Sequence, residues 1–117
     1  MISTVQVTGR WKNSKSSTVG IAEFTLAEVD NKLSISFQGA TGGSIPGNIG
    51  PIEAVAHASD DSSSDCIAFQ AETTVDGKQY IFAGNINKGL VIIATYIRIL
   101  NGEKPNFFIR EFFYKLK

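Results

Sequence analysis

The chain predicts an all-β fold, with eight antiparallel strands in an up-and-down β-barrel and a single domain over residues 1–117. Three observations predict it. Apolar residues alternate with polar ones at period two along most of the chain, and the apolar set is rich in Val, Ile, Phe and Tyr. No segment carries a sustained helical stripe with caps. Tight-turn pairs such as Asp76-Gly77 and Asn101-Gly102 separate runs of strand length. Eight twisted strands joined in sequence avoid open edges by closing on themselves.

The first strand is expected at 4–12, where Val5, Val7 and Trp11 share a parity opposite Gln6, Thr8 and Arg10. The second, 17–26, puts Val19 and Ile21 on one side and Phe24 and Leu26 on the other, which predicts a bulge near Glu23. Asp30-Asn31-Lys32 turns the chain into 32–39, where Leu33, Ile35 and Phe37 alternate with Ser34, Ser36 and Gln38. Residues 41–51 read TGGSIPGNIGP. Without a following Lys-Ser/Thr and helix this is no phosphate cradle, and it reads as a flexible loop over a cavity mouth or an oligomer edge. A strand at 51–57 leads into the acidic, serine-rich loop 58–65, which lacks the spacing and terminal glutamate of a calcium loop. Ile67, Phe69, Ala71, Thr73 and Val75 mark a strand at 66–75, and Tyr80, Phe82, Gly84 and Ile86 mark one at 78–86. The last two strands fall at 89–99 and 106–116.

Composition removes whole classes of function. Eleven Lys and Arg balance 11 Asp and Glu, so the chain lacks the basic footprint of a nucleic-acid binder. With 43% hydrophobic and 19% charged residues it is not a disordered chain. The aliphatic run from Leu90 to Ala94 is far shorter than the ~20 residues that span a bilayer. No nucleic acid and no membrane is therefore expected among its partners. Cys66 is the only cysteine, which excludes an internal disulfide. Nothing after Met1 reads as a leader, so the expected location is cytoplasmic. His57, Asp65 and Cys66 match no zinc spacing, and Cys66 opens an apolar stretch as a core residue would. The expectation is no metal, no cofactor and no enzyme.

The last two strands depart from the pattern of the others. Leu90, Ile92, Ala94 and Tyr96 lie on one face of 89–99, with Val91, Ile93, Ile97 and Ile99 on the other. In 106–116, Phe107, Ile109 and Phe113 oppose Phe108, Phe112 and Tyr114. A strand apolar on both faces leaves a patch outside the barrel, and such patches mark interfaces. A homo-oligomer, dimer or tetramer, through 89–99 and 106–116 is expected.

Two segments carry a resemblance to a known family. Thr8-Gly9-Arg10-Trp11-Lys12-Asn13 resembles the Gly-x-Trp start of the calycin barrels, and with Ser16-Ser17 it resembles the opening of the avidin and streptavidin family. Arg110-Glu111-Phe112-Phe113-Tyr114-Lys115-Leu116-Lys117 resembles that family's last strand. The resemblance implies that Trp11 closes one barrel end. It also implies that Asn13 and Ser17 stand where polar groups hold the ureido oxygen of biotin. Other positions differ. Phe37 stands for a ligand-binding tyrosine, Gly39 for a pocket serine, and Phe69 and Phe82 for two pocket tryptophans. Tyr80 and Lys78 fall where a threonine and a serine would face the ligand, and Ile97 replaces a further tryptophan. Glu111 replaces an aspartate and is one methylene longer. Losing several buried hydrogen bonds, at about 1–3 kcal/mol each when a group is left unpaired, removes tight biotin binding.

Two functional readings stay open. In one, the barrel holds a small hydrophobic or amphipathic ligand among Trp11, Asn13, Ser17, Phe37, Phe69, Phe82 and Glu111. In the other, side chains fill the barrel and it works through its homo-oligomer interface. Arg110, facing away from Glu111, is expected to stack on an aromatic such as Phe112 or Tyr114 of a neighbouring strand or subunit.

Overall fold

Where the chain turns decides the architecture. In the computed structural model, which describes residues 2–117, the strands are β1 (Gly9–Asn13), β2 (Ile21–Val29), β3 (Lys32–Gly39), β4 (Asn48–Ala58), β5 (Cys66–Val75), β6 (Lys78–Asn87), β7 (Leu90–Ile99) and β8 (Phe107–Lys115). Each pairs antiparallel with the next, and β8 returns to β1, so the expected eight-stranded up-and-down barrel is the one formed. Asp30-Asn31, Asp76-Gly77 and Lys88-Gly89 join their strands with φ positive at both residues. That geometry matches the twist of the strands it connects.

Three strand starts differ from the sequence reading by more than one residue. β1 begins at Gly9 and not at residue 4. The N–H groups of Val7 and Thr8 both donate to Thr4 O at 3.0 Å, making a turn beneath the barrel. Val5 is exposed while Val7 is buried, so their shared parity with Trp11 is not that of one strand. β2 begins at Ile21 and not at residue 17, because the Thr18 N–H donates to Lys15 O at 3.2 Å and closes a turn there. β4 begins at Asn48 and not at residue 51. Gly50 and Pro51 lie at a register shift opposite Ser36, the kind of place where a strand tolerates proline.

The bulge in β2 is present and sits at Ala22, between the pairs Ile21↔Gly39 and Glu23↔Gln38. It lets Ile21, Phe24 and Leu26 all point inward. Residues 41–47, expected as a flexible flap, are tied down. Ser44 N–H donates to Val19 O at 2.7 Å, Ala40 N–H to Gly20 O at 2.8 Å and Gly39 N–H to Gly47 O at 3.2 Å. The segment buries Ile45 against the core, so it closes a barrel end.

The interior is packed with aromatic rings. Phe24 stacks with Trp11 at 6.0 Å between centroids and takes Phe113 edge-on at 4.9 Å. Phe37 and Phe82 stack at 3.9 Å, and Tyr80 continues the row at 6.2 Å from Phe82. A β-carbon on Gly84 would overlap the Phe69 ring, so Phe69 lies flat over a position that only glycine can supply. Offset and edge-to-face rings of this kind add about 0.5–1.5 kcal/mol per pair beyond the area they bury.

Candidate functional site

Two regions have the chemistry to do more than fold: a polar cluster at one barrel end and the outer face of β7 and β8. The cluster is built around Glu111 on β8. Its carboxylate accepts from Asn13 Nδ2 at 2.7 Å, from the Ile21 N–H at 3.0 Å and from the Thr18 hydroxyl. Asn13 is held in turn. Its Nδ2 also donates to Ile21 O at 2.8 Å, and its Oδ1 accepts the Lys15 N–H at 2.8 Å. Thr18 Oγ1 accepts the Gly20 N–H at 2.9 Å. A methyl group at Gly20 would collide with the Glu111 carboxylate, so a glycine there lets the side chain into the end of the barrel. Every polar atom of Asn13 and Glu111 is thus engaged within the chain.

Of the seven candidate residues, Trp11, Asn13, Phe37, Phe69 and Phe82 are buried inside and Glu111 reaches in from the rim. Ser17 is not with them. It is exposed in the turn before β2, and the adjacent Thr18 supplies the hydroxyl that meets Glu111. The spacing from Asn13 gave no means of choosing between the two, because the intervening residues form a turn and have no strand parity. Trp11 closes the other end, with its Nε1–H donated to Val7 O at 2.8 Å and Lys115 Nζ 5.8 Å from its ring.

The aromatic walls touch one another and leave no chamber between them. The gap bounded by Ile35, Ala54, Phe69, Phe82 and Ile93 is too narrow to admit a water molecule. Thr95 lies 1% exposed on the inner face of β7, and its hydroxyl has no partner. Cys66 is buried, donates its thiol to Ala68 O at 3.2 Å, and is pushed above the usual thiol pKa by that burial. Its environment is that of an inert core thiol. Among the described residues no three His, Cys, Asp or Glu side chains come together as a metal site.

Burial also raises the Tyr80 phenol above its ordinary value, with Asp76 adding to the effect. A raised folded-state pKa supports the fold while the phenol stays protonated. That support is full below the unfolded value of about 10 and is lost as pH climbs through the folded value. Tyr80→Phe is expected to flatten the alkaline fall in stability above about pH 10, measured by urea unfolding monitored at Trp11. An unchanged alkaline limb would place its cause elsewhere.

The outer face is the second region. Leu90↔Tyr114, Ile92↔Phe112 and Tyr96↔Phe108 are cross-strand pairs, and all six side chains point outward. Tyr96 and Phe108 stack at 5.6 Å and are 49% and 57% exposed, which sets this face apart from the rest of the barrel. The two ion pairs among the described residues, Arg10–Glu23 and Lys32–Glu53, lie on β1 to β4. Arg110 stands among the aromatics with its guanidinium 5.1 Å from the Phe112 ring. The stacking partner is therefore two residues away on the same strand. Comparison with known families, curated proteins and solved structures finds no match for this chain.

Proposed function

We propose that the chain is a non-catalytic interaction barrel that associates with copies of itself through the outer face of β7 and β8, and that its likeness to avidins concerns the frame and not a ligand. The exposed aromatic face across β7 and β8 is the observation that carries this reading. Side chains of that size are disfavoured in water and enriched at the centres of interfaces. The packed interior supports the same reading from the other side. A ligand would have to displace rings already in contact and break hydrogen bonds that satisfy both Asn13 and Glu111.

Phe112→Glu is the direct test, because it places a charge on the outer face without touching the core. Native mass spectrometry and light scattering at micromolar concentration are expected to give a multimer for the wild-type chain. The variant is expected to be a monomer with an unchanged Trp11 emission spectrum, its association weakened at least 100-fold, as about 3 kcal/mol for a charge forced into an apolar contact implies. A wild-type monomer, or a multimer indifferent to the substitution, would overturn the reading. A small molecule retained by the wild-type chain would return attention to the interior.

A further inference from the structure

The outer aromatic face ends at a stretch of strand edge that the barrel leaves unpaired. β1 has five residues and meets β8 only at Trp11↔Lys115, Lys12↔Tyr114 and Asn13↔Phe113. One more bond follows, from the Ser14 N–H to Phe112 O at 2.9 Å. β8 has nine residues, and 107–111 pair on one side only, with β7. Backbone groups of successive residues in an antiparallel ladder point to alternate sides. Phe112 O is used from the β1 side, so Phe108 and Arg110 direct their backbone groups to that side too. Among the described residues neither has a backbone partner there. Two N–H and two C=O groups therefore line an edge bearing Phe108 on its outer face. An edge of that kind is a template for another strand.

We propose that this edge pairs with the same edge of a second copy, β8 against β8 antiparallel, with the two-fold axis at Ile109. In this register Phe108 stands opposite the partner's Arg110 and exchanges both backbone hydrogen bonds with it. Symmetry repeats the exchange, so four bonds satisfy the open groups of Phe108 and Arg110. Phe108 and the partner's Arg110 share the outer face as direct cross-strand neighbours, which sets a guanidinium against an exposed ring. Arg110 already rests on Phe112, so the second ring completes a sandwich around a cation that has no acidic partner of its own. Neighbouring registers lack this match. Moving the axis to Arg110 sets two arginines opposite each other, a repulsive pairing. Moving it to Phe108 sets Arg110 opposite Asn106, whose Oδ1 is already taken by the Ile99 N–H at 2.8 Å. The pairing rests on the self-association proposed above and adds an edge-to-edge contact to it, which sets the aromatic faces of the two copies side by side as one surface that further copies meet face to face.

Ile109→Cys tests it. Opposed residues at a non-hydrogen-bonded antiparallel position have Cα atoms about 4.5 Å apart, within the range of a disulfide. Oxidation of the reduced variant with glutathione disulfide is expected to convert most of it to a covalent dimer. The wild-type chain, whose Cys66 is buried, stays unlinked. A wild-type multimer combined with an Ile109→Cys chain that does not cross-link overturns the edge geometry and leaves self-association standing. A wild-type monomer overturns both. Should the variant fold poorly, hydrogen exchange of the wild-type chain decides. The Phe108 and Arg110 amides are expected to exchange at least tenfold more slowly in the multimer than after dilution to monomer, and equal rates would refute the pairing.

Discussion

Glu111→Gln is expected to lower the free energy of unfolding by about 3 kcal/mol, because at least one buried donor loses its acceptor and the new NH2 group meets a donor in its place, at about 1–3 kcal/mol each. The substitution keeps volume and shape and changes only what the head group can accept. Glu111 Oε1 receives the Ile21 N–H, and Oε2 receives both Asn13 Nδ2 and the Thr18 hydroxyl. A glutamine has one acceptor oxygen to serve both sides. If that oxygen faces Asn13 and Thr18, its NH2 group confronts the Ile21 N–H. If it faces Ile21, the NH2 group confronts Asn13 Nδ2. Asn13 cannot turn its amide to help, because its Oδ1 already holds the Lys15 N–H and its Nδ2 also holds Ile21 O. Differential scanning calorimetry should show Tm falling by roughly 10 °C or more for a domain of this size. A change under about 2 °C, equivalent to a few tenths of a kcal/mol, would mean that water replaces the lost contacts at no cost and that the cluster does not hold this end of the barrel shut.

Much of the fold was legible because it depends on local patterns. Alternation in β3 and β5 to β7, and the pairs Asp30-Asn31 and Asp76-Gly77, record geometry that neighbouring residues impose on one another. The bulge in β2 could be read because the inward residues change parity, and the structure puts it one residue from the expected place. What escaped depends on partners distant in sequence. Ile45 closes a barrel end only because Ser44 and Ala40 reach the turn before β2, and no local pattern records that contact. Thr18 displaced Ser17 in the cluster for a similar reason: turn geometry, unlike strand parity, does not fix which of two neighbouring hydroxyls points at Glu111.

The filled interior is another such case. Whether Phe69 encloses a cavity or lies over Gly84 depends on the pairing of β5 with β6, where Phe69 sits directly opposite Gly84. The sequence names both residues without naming their register. The unpaired edge of β8 likewise arises because β1 ends at Asn13 and the chain then turns, the Thr18 N–H donating to Lys15 O, so that no strand is left to pair with 107–111. The outer aromatic face was legible by contrast, since two strands apolar on both sides must show one side to whatever surrounds the barrel.

Trp11→Ala is expected to cost about 4–5 kcal/mol, the upper part of the range for removing a buried aromatic side chain. Three separate losses put it there. The ring is 1% exposed and its stacking with Phe24 disappears, leaving Phe24 without one of the neighbours that fix its edge-on contact with Phe113. Val7 O loses the indole N–H that meets it at 2.8 Å, and the Thr4–Thr8 turn loses its tie to β1. The Lys115 ammonium loses the ring beneath it near the point where β8 closes on β1. A loss of that size is a large part of the roughly 5–15 kcal/mol by which a domain is stable. Urea unfolding followed by far-ultraviolet circular dichroism should place the variant near the edge of folding at 37 °C. Trp11→Phe provides the comparison, since it keeps an apolar ring and gives up the indole N–H. It should recover about half of the loss, because the ring accounts for most of the buried surface and the hydrogen bond for about 1–2 kcal/mol. If Trp11→Ala instead unfolds within about 1 kcal/mol of the wild-type chain, below the usual cost of an emptied aromatic site, then the turn beneath the barrel and Lys115 close that end without the indole.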